Sequence, residues 1–426
     1  MKAYKDLDRA ELEQLHEGLL KEYAAWKEMG LSLNMARGKP SDEQLQISKG
    51  MMTILGDVDL VAEDGTDVRN YGVLDGIPEA KRLMGDLMGV KASQTIIFGN
   101  SSLNAMYDTV ARAYMFGIMG SVPWCRLDHV KFLCPVPGYD RHFGIISQFG
   151  FEMIPIPMNE DGPDMDLVEK YVNHDPYVKG IWCVPLYSNP TGIVYSDETV
   201  RRFARLKPAA KDFRIFWDNA YAIHHLYPGK EMKLLNIMDE CEKAGNPDIV
   251  YQFASTSKIT FPGSGIAAIS ASENNIKDIL SHLIWQTIGY DKINQFRHVR
   301  FFGDIEGMRR HMVRHADILR PKFDGILDLF DQELKDLGIA EWTRPYGGYF
   351  ISFDAMEGCA KKIVSKCREA GVVMTAAGAT FPNGVDPKDS NIRIAPSFPP
   401  LDEIITAAKL FITCVKLVTV EKLLEK

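Results

Sequence analysis

The chain has 426 residues, of which 46% are hydrophobic and 25% charged, and its formal net charge is −8. This balance is typical of a folded globular protein and argues against disorder. The acidic charge and the lack of a Lys/Arg block argue against binding to nucleic acid or to an anionic membrane. Small molecules are therefore the expected partners.

The N-terminal segment predicts an amphipathic helix, because Leu12, Leu15, Leu19 and Tyr23 recur at helical spacing among charged residues. This pattern is not that of a signal peptide, and no run approaches the roughly 20 apolar residues that span a bilayer. The seven cysteines are scattered and form no Cys-x-x-Cys pair, so we expect neither a disulfide framework nor a bound metal. A cytoplasmic location is the expectation.

Short apolar runs alternate with helical patterns between residues 75 and 275. The runs are bounded by Gly, Pro, Asn and Asp, as buried strands of a mainly parallel sheet are. We therefore predict an α/β domain in which helices flank a mainly parallel, mixed sheet. The predicted strands are Thr95 to Phe98, Lys131 to Pro135, Gly180 to Val184, Arg214 to Trp217, Ile249 to Phe253 and Ile266 to Ser270.

The pattern turns helical after about residue 273 and stays so through about residue 338. Strands are then predicted at Gly348 to Phe353, Gly371 to Met374 and Asn391 to Ala395, with a closing helix from Leu401. A chain this long exceeds one ordinary core. We predict a large domain over residues 50–300 and a smaller α+β domain over residues 301–426, which residues 1–49 join.

Three short motifs follow predicted strands. Lys258 ends a Ser-x-x-Lys run, Asp218 begins Asp-Asn-Ala-Tyr, and Asn189 begins Asn-Pro-Thr-Gly. Ligands in open α/β sheets bind at the carboxyl ends of strands, where Asp218 and Lys258 are expected to lie. Taken singly, each also fits an ordinary role: a surface lysine, a helix N-cap and a turn.

In this order the three motifs resemble the aspartate aminotransferase-like, fold-type I family of enzymes that use pyridoxal 5'-phosphate (PLP). The resemblance covers nearly the whole chain and implies the fold of that family. It implies that Lys258 holds PLP as a Schiff base and moves a proton of the substrate. It further implies that Asp218 pairs with the pyridine nitrogen, while Asn189 and Tyr221 hydrogen-bond the ring's phenolate oxygen.

A phosphate site is predicted between the strand ending at Phe98 and the helix that follows, because free backbone N–H groups at a helix N-terminus bind anions. The family commonly places an arginine shortly after the lysine, but Ile259 to Ile269 contains no basic residue. This departure indicates a divergent subgroup. The phosphate ligands implied are Asn100, Ser101, Ser102, Ser255 and Ser257, with Ser264 or a distant arginine as further candidates.

Two tyrosines match further positions of the family. Tyr139 matches the aromatic residue that stacks on the pyridine ring. Tyr71 resembles the tyrosine that reaches the neighbouring subunit's phosphate, which implies a homodimer with shared active sites.

Substrate recognition requires a cation for the α-carboxylate, and Arg393 matches the family's carboxylate-binding arginine. Asn189 is expected beside the substrate, and Gly38 resembles the glycine of a loop that closes over it. A dicarboxylic substrate requires a second cation, and the four candidates that stay open are Arg37, Lys292, Arg297 and Arg300. Of these, Arg37 is also expected in the substrate site.

The resemblance implies an aminotransferase that moves an amino group from an L-amino acid to a 2-oxo acid, with aspartate and 2-oxoglutarate as the first expectation. Aromatic, alanine or aminoadipate-like amino acids stay open as donors, as does a PLP-dependent C–S or β-lyase. The remote alternative is a non-catalytic PLP-binding regulator. Against it, the first forty or so residues supply one amphipathic helix and no basic recognition helix.

Overall fold

The structure is a computed structural model that describes residues 2–425, and its centre is an eight-stranded sheet with the order β2-β9-β8-β7-β6-β3-β4-β5. The strands, in chain order, are β1 Leu33–Asn34, β2 Thr95–Phe98, β3 Lys131–Val136, β4 Glu152–Asn159, β5 Gly162–Pro163, β6 Val178–Cys183, β7 Arg214–Asp218, β8 Val250–Ser255, β9 Ala267–Ala271, β10 Ala340–Trp342, β11 Ile351–Ala355, β12 Val372–Val373 and β13 Asn391–Ile394.

Helices cover both faces of the sheet and build most of the second unit. They are α1 Arg9–Glu28, α2 Asp42–Gln46, α3 Pro78–Met88, α4 Ser102–Phe116, α5 Asp140–Gln148, α6 Met165–His174, α7 Asp197–Ala204, α8 Ile237–Lys243, α9 Glu273–Leu283, α10 Lys292–Phe302, α11 Ile305–Glu333, α12 Ala360–Glu369 and α13 Leu401–Leu424. The predicted α/β class is confirmed.

The six strands predicted for the large sheet are confirmed as β2, β3, β6, β7, β8 and β9, each within two residues at either end. Strands β4, β3, β6, β7 and β8 run parallel, whereas β9 pairs antiparallel with both β2 and β8. Strand β4 was missed because it contains Pro155 and Pro157, which lack the N–H of a ladder. Only the two-residue β5 covers it, so it lies near an edge, where proline is tolerated.

The second unit contains an antiparallel sheet of order β10-β11-β13. The predicted N-terminal helix is confirmed as α1, which packs on α13, and β1 pairs with β12. Residues near the N-terminus are therefore tied to the C-terminal part of the chain. The three strands predicted there overlap β11, β12 and β13, while β10 was missed.

Helix α11 contributes to two cores. Met308 and Met312 pack in a cluster with residues of α3 and α10, whereas Phe323 and Phe330 pack with β11 and α13. One continuous helix therefore serves both cores. The predicted boundary at 300/301 falls inside α10, and this division stays a prediction.

Candidate active site

A cavity of about 270 Å³ opens where the strand ends of the large sheet meet the loop before α2. Parallel strands bring their carboxyl ends to one edge, so residues distant in the chain converge there. The lining contains ten of the residues that the sequence predicted: Gly38, Ser101, Ser102, Tyr139, Asn189, Asp218, Tyr221, Ser255, Ser257 and Lys258.

Lys258 lies in the turn after β8, with its Nζ 5.0 Å from the centre of the Tyr221 ring. Burial lowers the pKa of its ammonium group, and the positive charge of Arg393 acts in the same direction, while Asp218 opposes both. A lowered pKa increases the neutral fraction of the amine. The side chain is thus suited to act as a nucleophile and as a base.

Asp218 ends β7 and is almost fully buried, with only one of its carboxylate oxygens satisfied. Its Oδ2 accepts a hydrogen bond from His142 Nε2 at 3.1 Å, whereas Oδ1 is buried without a partner. The His142 ring stacks on Trp182 at a centroid distance of 4.3 Å, which fixes its orientation. An unpaired buried carboxylate oxygen is costly unless a ligand donor satisfies it.

Sequence reasoning missed His142, although it lies in the first turn of α5, three residues after Tyr139. The signal that could have revealed it is this spacing. Tyr139 is the residue directly before α5, and the His142 ring meets the Tyr139 ring edge-on at a centroid distance of 4.9 Å.

Arg393 extends from β13 and is 7% exposed. Its Nη1 donates to Asp140 Oδ1 at 2.8 Å and to Asn189 Oδ1 at 3.3 Å, and its guanidinium lies 4.9 Å from the centre of the Phe350 ring. The Nε atom is buried without a partner. One edge of the guanidinium is therefore held while unused donors remain for a carboxylate.

The loop before α2 packs closely against Phe350, the ring that lies beside that arginine. A Cβ atom on Gly38 would lie 2.3 Å from Phe350, which is far inside van der Waals contact. Only glycine lets this loop approach the ring beneath Arg393.

Hydroxyl groups gather at the N-terminus of α4. Ser101 Oγ caps the helix by accepting a hydrogen bond from Leu103 N at 3.2 Å. Ser255 Oγ donates to Ser257 Oγ at 3.1 Å, and Ser257 Oγ donates to Asn100 O at 3.1 Å. The hydroxyls and the helix dipole form an environment that favours an anion.

Comparison with known proteins agrees with this geometry. The aspartate amino-transferase family profile matches residues 7–426. A protein of Mycolicibacterium smegmatis named a putative aminotransferase is 45% identical over 99% of both chains. The aspartate aminotransferase of Corynebacterium glutamicum is 45% identical over 98% of this chain and 96% of its own. The chain belongs to the aspartate aminotransferase family.

A solved structure extends the agreement to three dimensions. The crystal structure of an aspartate transaminase from Corynebacterium glutamicum superimposes with a TM-score of 0.96 at 44% identity, and the match covers 99% of both chains. The fold of the present aminotransferase is thus that of its family.

Arg393 is not part of the lining but contacts Asn189, which is. Three other predicted residues of this aminotransferase also lie outside the lining. Tyr71 is 82% exposed, and Asn100 contributes its main-chain carbonyl to Ser257 and not its side chain to the cavity. Arg37 is exposed and does not line the cavity. Within one subunit these three residues do not reach the site, and their roles stay predictions.

The other cation candidates of the aminotransferase have partners of their own. Lys292 Nζ donates to Gly72 O at 2.9 Å, Arg297 donates to Asn294 and Ser264, and Arg300 packs on the Phe296 ring. By contrast, Lys39 lines the cavity and was missed by sequence reasoning. Its Nζ lies 3.8 Å from the centre of the Phe398 ring.

Two further observations concern residues 2–425 of the aminotransferase. No group of His, Cys, Asp and Glu in that range is arranged to hold a metal ion. Nor does that range contain a helix that is long and apolar enough to cross a membrane.

Proposed function

We propose that the enzyme binds PLP in the cavity and transfers the amino group of L-aspartate to 2-oxoglutarate as a homodimer. The observation that carries this proposal is the pairing, in one cavity, of a lysine with a lowered pKa and the unsatisfied Oδ1 atom of Asp218. A protonated pyridine nitrogen is a donor that would satisfy this oxygen. The relatives named for aspartate, at 44–45% identity, support the choice of donor.

The residues around the cavity fit PLP. Lys258 would hold it covalently, Tyr139 would lie on its ring, and Asn189 and Tyr221 would donate to its phenolate oxygen. The hydroxyls of Ser101, Ser102, Ser255 and Ser257 would hold its phosphate together with the N-terminus of α4. When bound, PLP supplies an electron sink for the charge left on the substrate α-carbon.

The side chains of the site bind the substrate, move its proton and exclude water. Arg393 binds the α-carboxylate through its unused donors, which orients the α-carbon toward Lys258. Lys258 Nζ would act as the base that takes the proton from the substrate α-carbon and gives it back. Asp218 is held in place by His142. The loop at Gly38 excludes water from above the site.

The dimer is proposed because Tyr71 is large, aromatic and 82% exposed. This exposure fits a residue whose partner lies on another subunit, where its hydroxyl would reach the phosphate. Single exposed aromatic residues are otherwise common, so the support comes from the motif match together with the exposure.

The proposed reaction is tested by its first half. PLP-loaded protein mixed with aspartate is expected to lose the visible absorbance of lysine-bound cofactor, and 2-oxoglutarate is expected to restore it. Alanine, phenylalanine and 2-aminoadipate are expected to react more slowly at equal concentration. A faster reaction with one of these would replace aspartate as donor, and release of pyruvate and ammonia from a β-substituted amino acid would favour the lyase.

Lys39 is proposed to bind the distal carboxylate of aspartate. Among the described residues that line the cavity, only Lys39 and Lys258 have basic side chains. Lys39→Ala is expected to lower kcat/KM for aspartate about 10- to 100-fold, the effect of losing a hydrogen bond between charged groups. Activity with alanine should change little, because alanine has no distal carboxylate.

Arg37→Ala is the matched control, since Arg37 is a neighbouring exposed cation that does not line the cavity. Its kcat/KM for aspartate is expected to stay within about twofold of wild type, because its charge lies outside the cavity. An unchanged preference for aspartate over alanine in Lys39→Ala would exclude Lys39. If the preference is lost in Arg37→Ala instead, Arg37 binds the distal carboxylate.

A further inference from the structure

A buried chain of hydrogen bonds reaches the peptide of Lys258 from behind. Tyr349 Oη donates to the main-chain carbonyl of Lys258 at 3.2 Å, and Gln44 Nε2 donates to Tyr349 Oη at 2.9 Å. The side chains of Gln44 and Tyr349 are both inaccessible to solvent. The Lys258 carbonyl would otherwise have to be satisfied by another donor in the interior, so this contact orients the lysine's own peptide group.

The orientation of the Gln44 amide is determined by its neighbours. Its Oε1 accepts from Ser41 N at 3.0 Å in the capping box of α2, which leaves both Nε2 protons as donors. One proton goes to Tyr349, and the other goes to His315 Nδ1 at 2.9 Å. Gln44 therefore connects the start of α2 to two buried groups at once.

The adjacent carbonyl of the lysine turn is held in a similar way. His311 Nε2 and His315 Nε2 both lie within hydrogen-bond distance of Ile259 O, at 2.9 and 3.0 Å. Since His315 Nδ1 accepts from Gln44, its proton is on Nε2. Burial lowers the pKa of both rings, that of His315 to about 3, so both are neutral near pH 7.

These contacts join the lysine turn to parts of the chain that also touch the substrate side of the cavity. Gln44 follows the loop of Gly38 and Lys39, and Ser397 Oγ donates to Lys39 O at 2.9 Å. Tyr349 directly precedes Phe350, the ring that lies between Gly38 and Arg393. If the loop shifts when substrate binds, the shift would therefore be transmitted to Tyr349 both through Gln44 and through Phe350.

We propose that Gln44 and Tyr349 are positioning residues: the Tyr349 hydroxyl sets the direction of Lys258, and Gln44 fixes that hydroxyl according to the position of the N-terminal loop. The inference rests on the proposed role of Lys258. It concerns how the lysine is aimed, not whether PLP binds.

Tyr349→Phe tests the proposal because it keeps the ring and removes both hydrogen bonds. We expect kcat with aspartate to fall about 3- to 10-fold, the worth of one neutral hydrogen bond, with KM within about twofold. The pH midpoint of the bound cofactor's visible absorbance should shift by about half a unit to one unit, and the rate of covalent trapping by borohydride should change with it.

Tyr227→Phe is the matched control, because Tyr227 also donates a hydrogen bond to a neighbouring element, at Asp324 Oδ1 of α11, and this bond does not involve the lysine turn. It should lower thermal stability without moving the absorbance midpoint. A midpoint that moves equally in both variants would show a general structural effect and overturn the proposal.

The role of Gln44 is tested by Gln44→Leu, alone and in the Tyr349→Phe background. If Gln44 acts through Tyr349, the single variant reproduces the midpoint shift and the double variant adds less than about twofold in kcat. Fully additive losses would contradict this order of action. Should Tyr349→Phe fail to fold, Gln44→Leu must still show the shift, and a wild-type midpoint in it overturns the proposal.

The wild-type protein distinguishes a failure of the proposed function from a failure of the positioning role. If wild type shows no cofactor absorbance and no conversion by aspartate, the proposed function fails. If wild type reacts normally while Tyr349→Phe and Gln44→Leu match it in kcat, midpoint and trapping rate, only the positioning role fails.

Discussion

Lys258→Ala is expected to abolish transamination, with a fall in kcat of at least about 10⁴-fold. On the proposed role of Lys258, the variant would lose both the covalent link to the cofactor and the base that moves the α-proton, and general acid–base catalysis alone contributes about 10²- to 10⁴-fold. The cavity should persist, because the side chain lines it without bonding to its walls through Nζ. We therefore expect a folded protein that retains PLP only by non-covalent contacts.

The measurement that separates these effects is mass spectrometry after borohydride reduction. Wild type is expected to carry one PLP on the peptide that contains Lys258, whereas the variant should carry none there. Lys211→Ala, at an exposed lysine in the same domain, is the matched control and should behave as wild type. Covalent attachment at another lysine of the wild-type protein would refute the assignment of Lys258.

Asp218→Asn is expected to lower kcat about 10²- to 10³-fold while preserving the shape of the site. Removing one partner of a buried charge pair costs about 3–5 kcal/mol, and here the pair is the carboxylate and the ring nitrogen that it would keep protonated. The amide can still accept from His142 but carries no charge. The loss should fall on kcat more than on KM, because the ring charge matters most when the α-carbon is deprotonated.

The effect of Asp218→Asn can also be measured without catalysis, through the pKa of Lys258. In the cofactor-free protein the charge of Asp218 raises the pKa of Lys258, against burial. Its removal should lower that pKa further, so the pH dependence of Lys258 alkylation moves to lower pH. An unchanged alkylation profile together with an unchanged kcat would show that Asp218 does not act on this site. His142→Asn, which loosens Asp218 but keeps its charge, should reduce kcat less.

Local features made part of the fold and site predictable from sequence. Buried parallel strands are continuous apolar runs, so β6, β7 and β8 could be placed within two residues. Lys258, Asp218 and Asn189 could be proposed because each follows such a strand within a recognisable motif. Strand β4 could not be placed, since its prolines contradict a central strand and only its position near the edge of the sheet makes them acceptable.

The cation that reaches the cavity could not be identified from the sequence. Arg37 and Lys39 are near neighbours in the sequence, and nothing in their spacing says which one reaches the cavity. In the folded structure the lining of the cavity contains Lys39 and not Arg37. Likewise, Lys292, Arg297 and Arg300 lie on one helix, but their contacts with Gly72, Ser264 and Phe296 depend on how that helix packs.

By itself, the sequence determined the α/β class, the order of the buried strands along the chain and the lysine, aspartate and asparagine at their ends. These features depend on residues close together in the chain, whose patterns are set by backbone geometry and burial. The tertiary structure alone decided the partners of those residues: His142 beside Asp218, Asp140 on Arg393, and Gln44 with Tyr349 behind Lys258. Such contacts join side chains far apart in the sequence, and only the packing of helices and loops against the sheet brings them within hydrogen-bond distance.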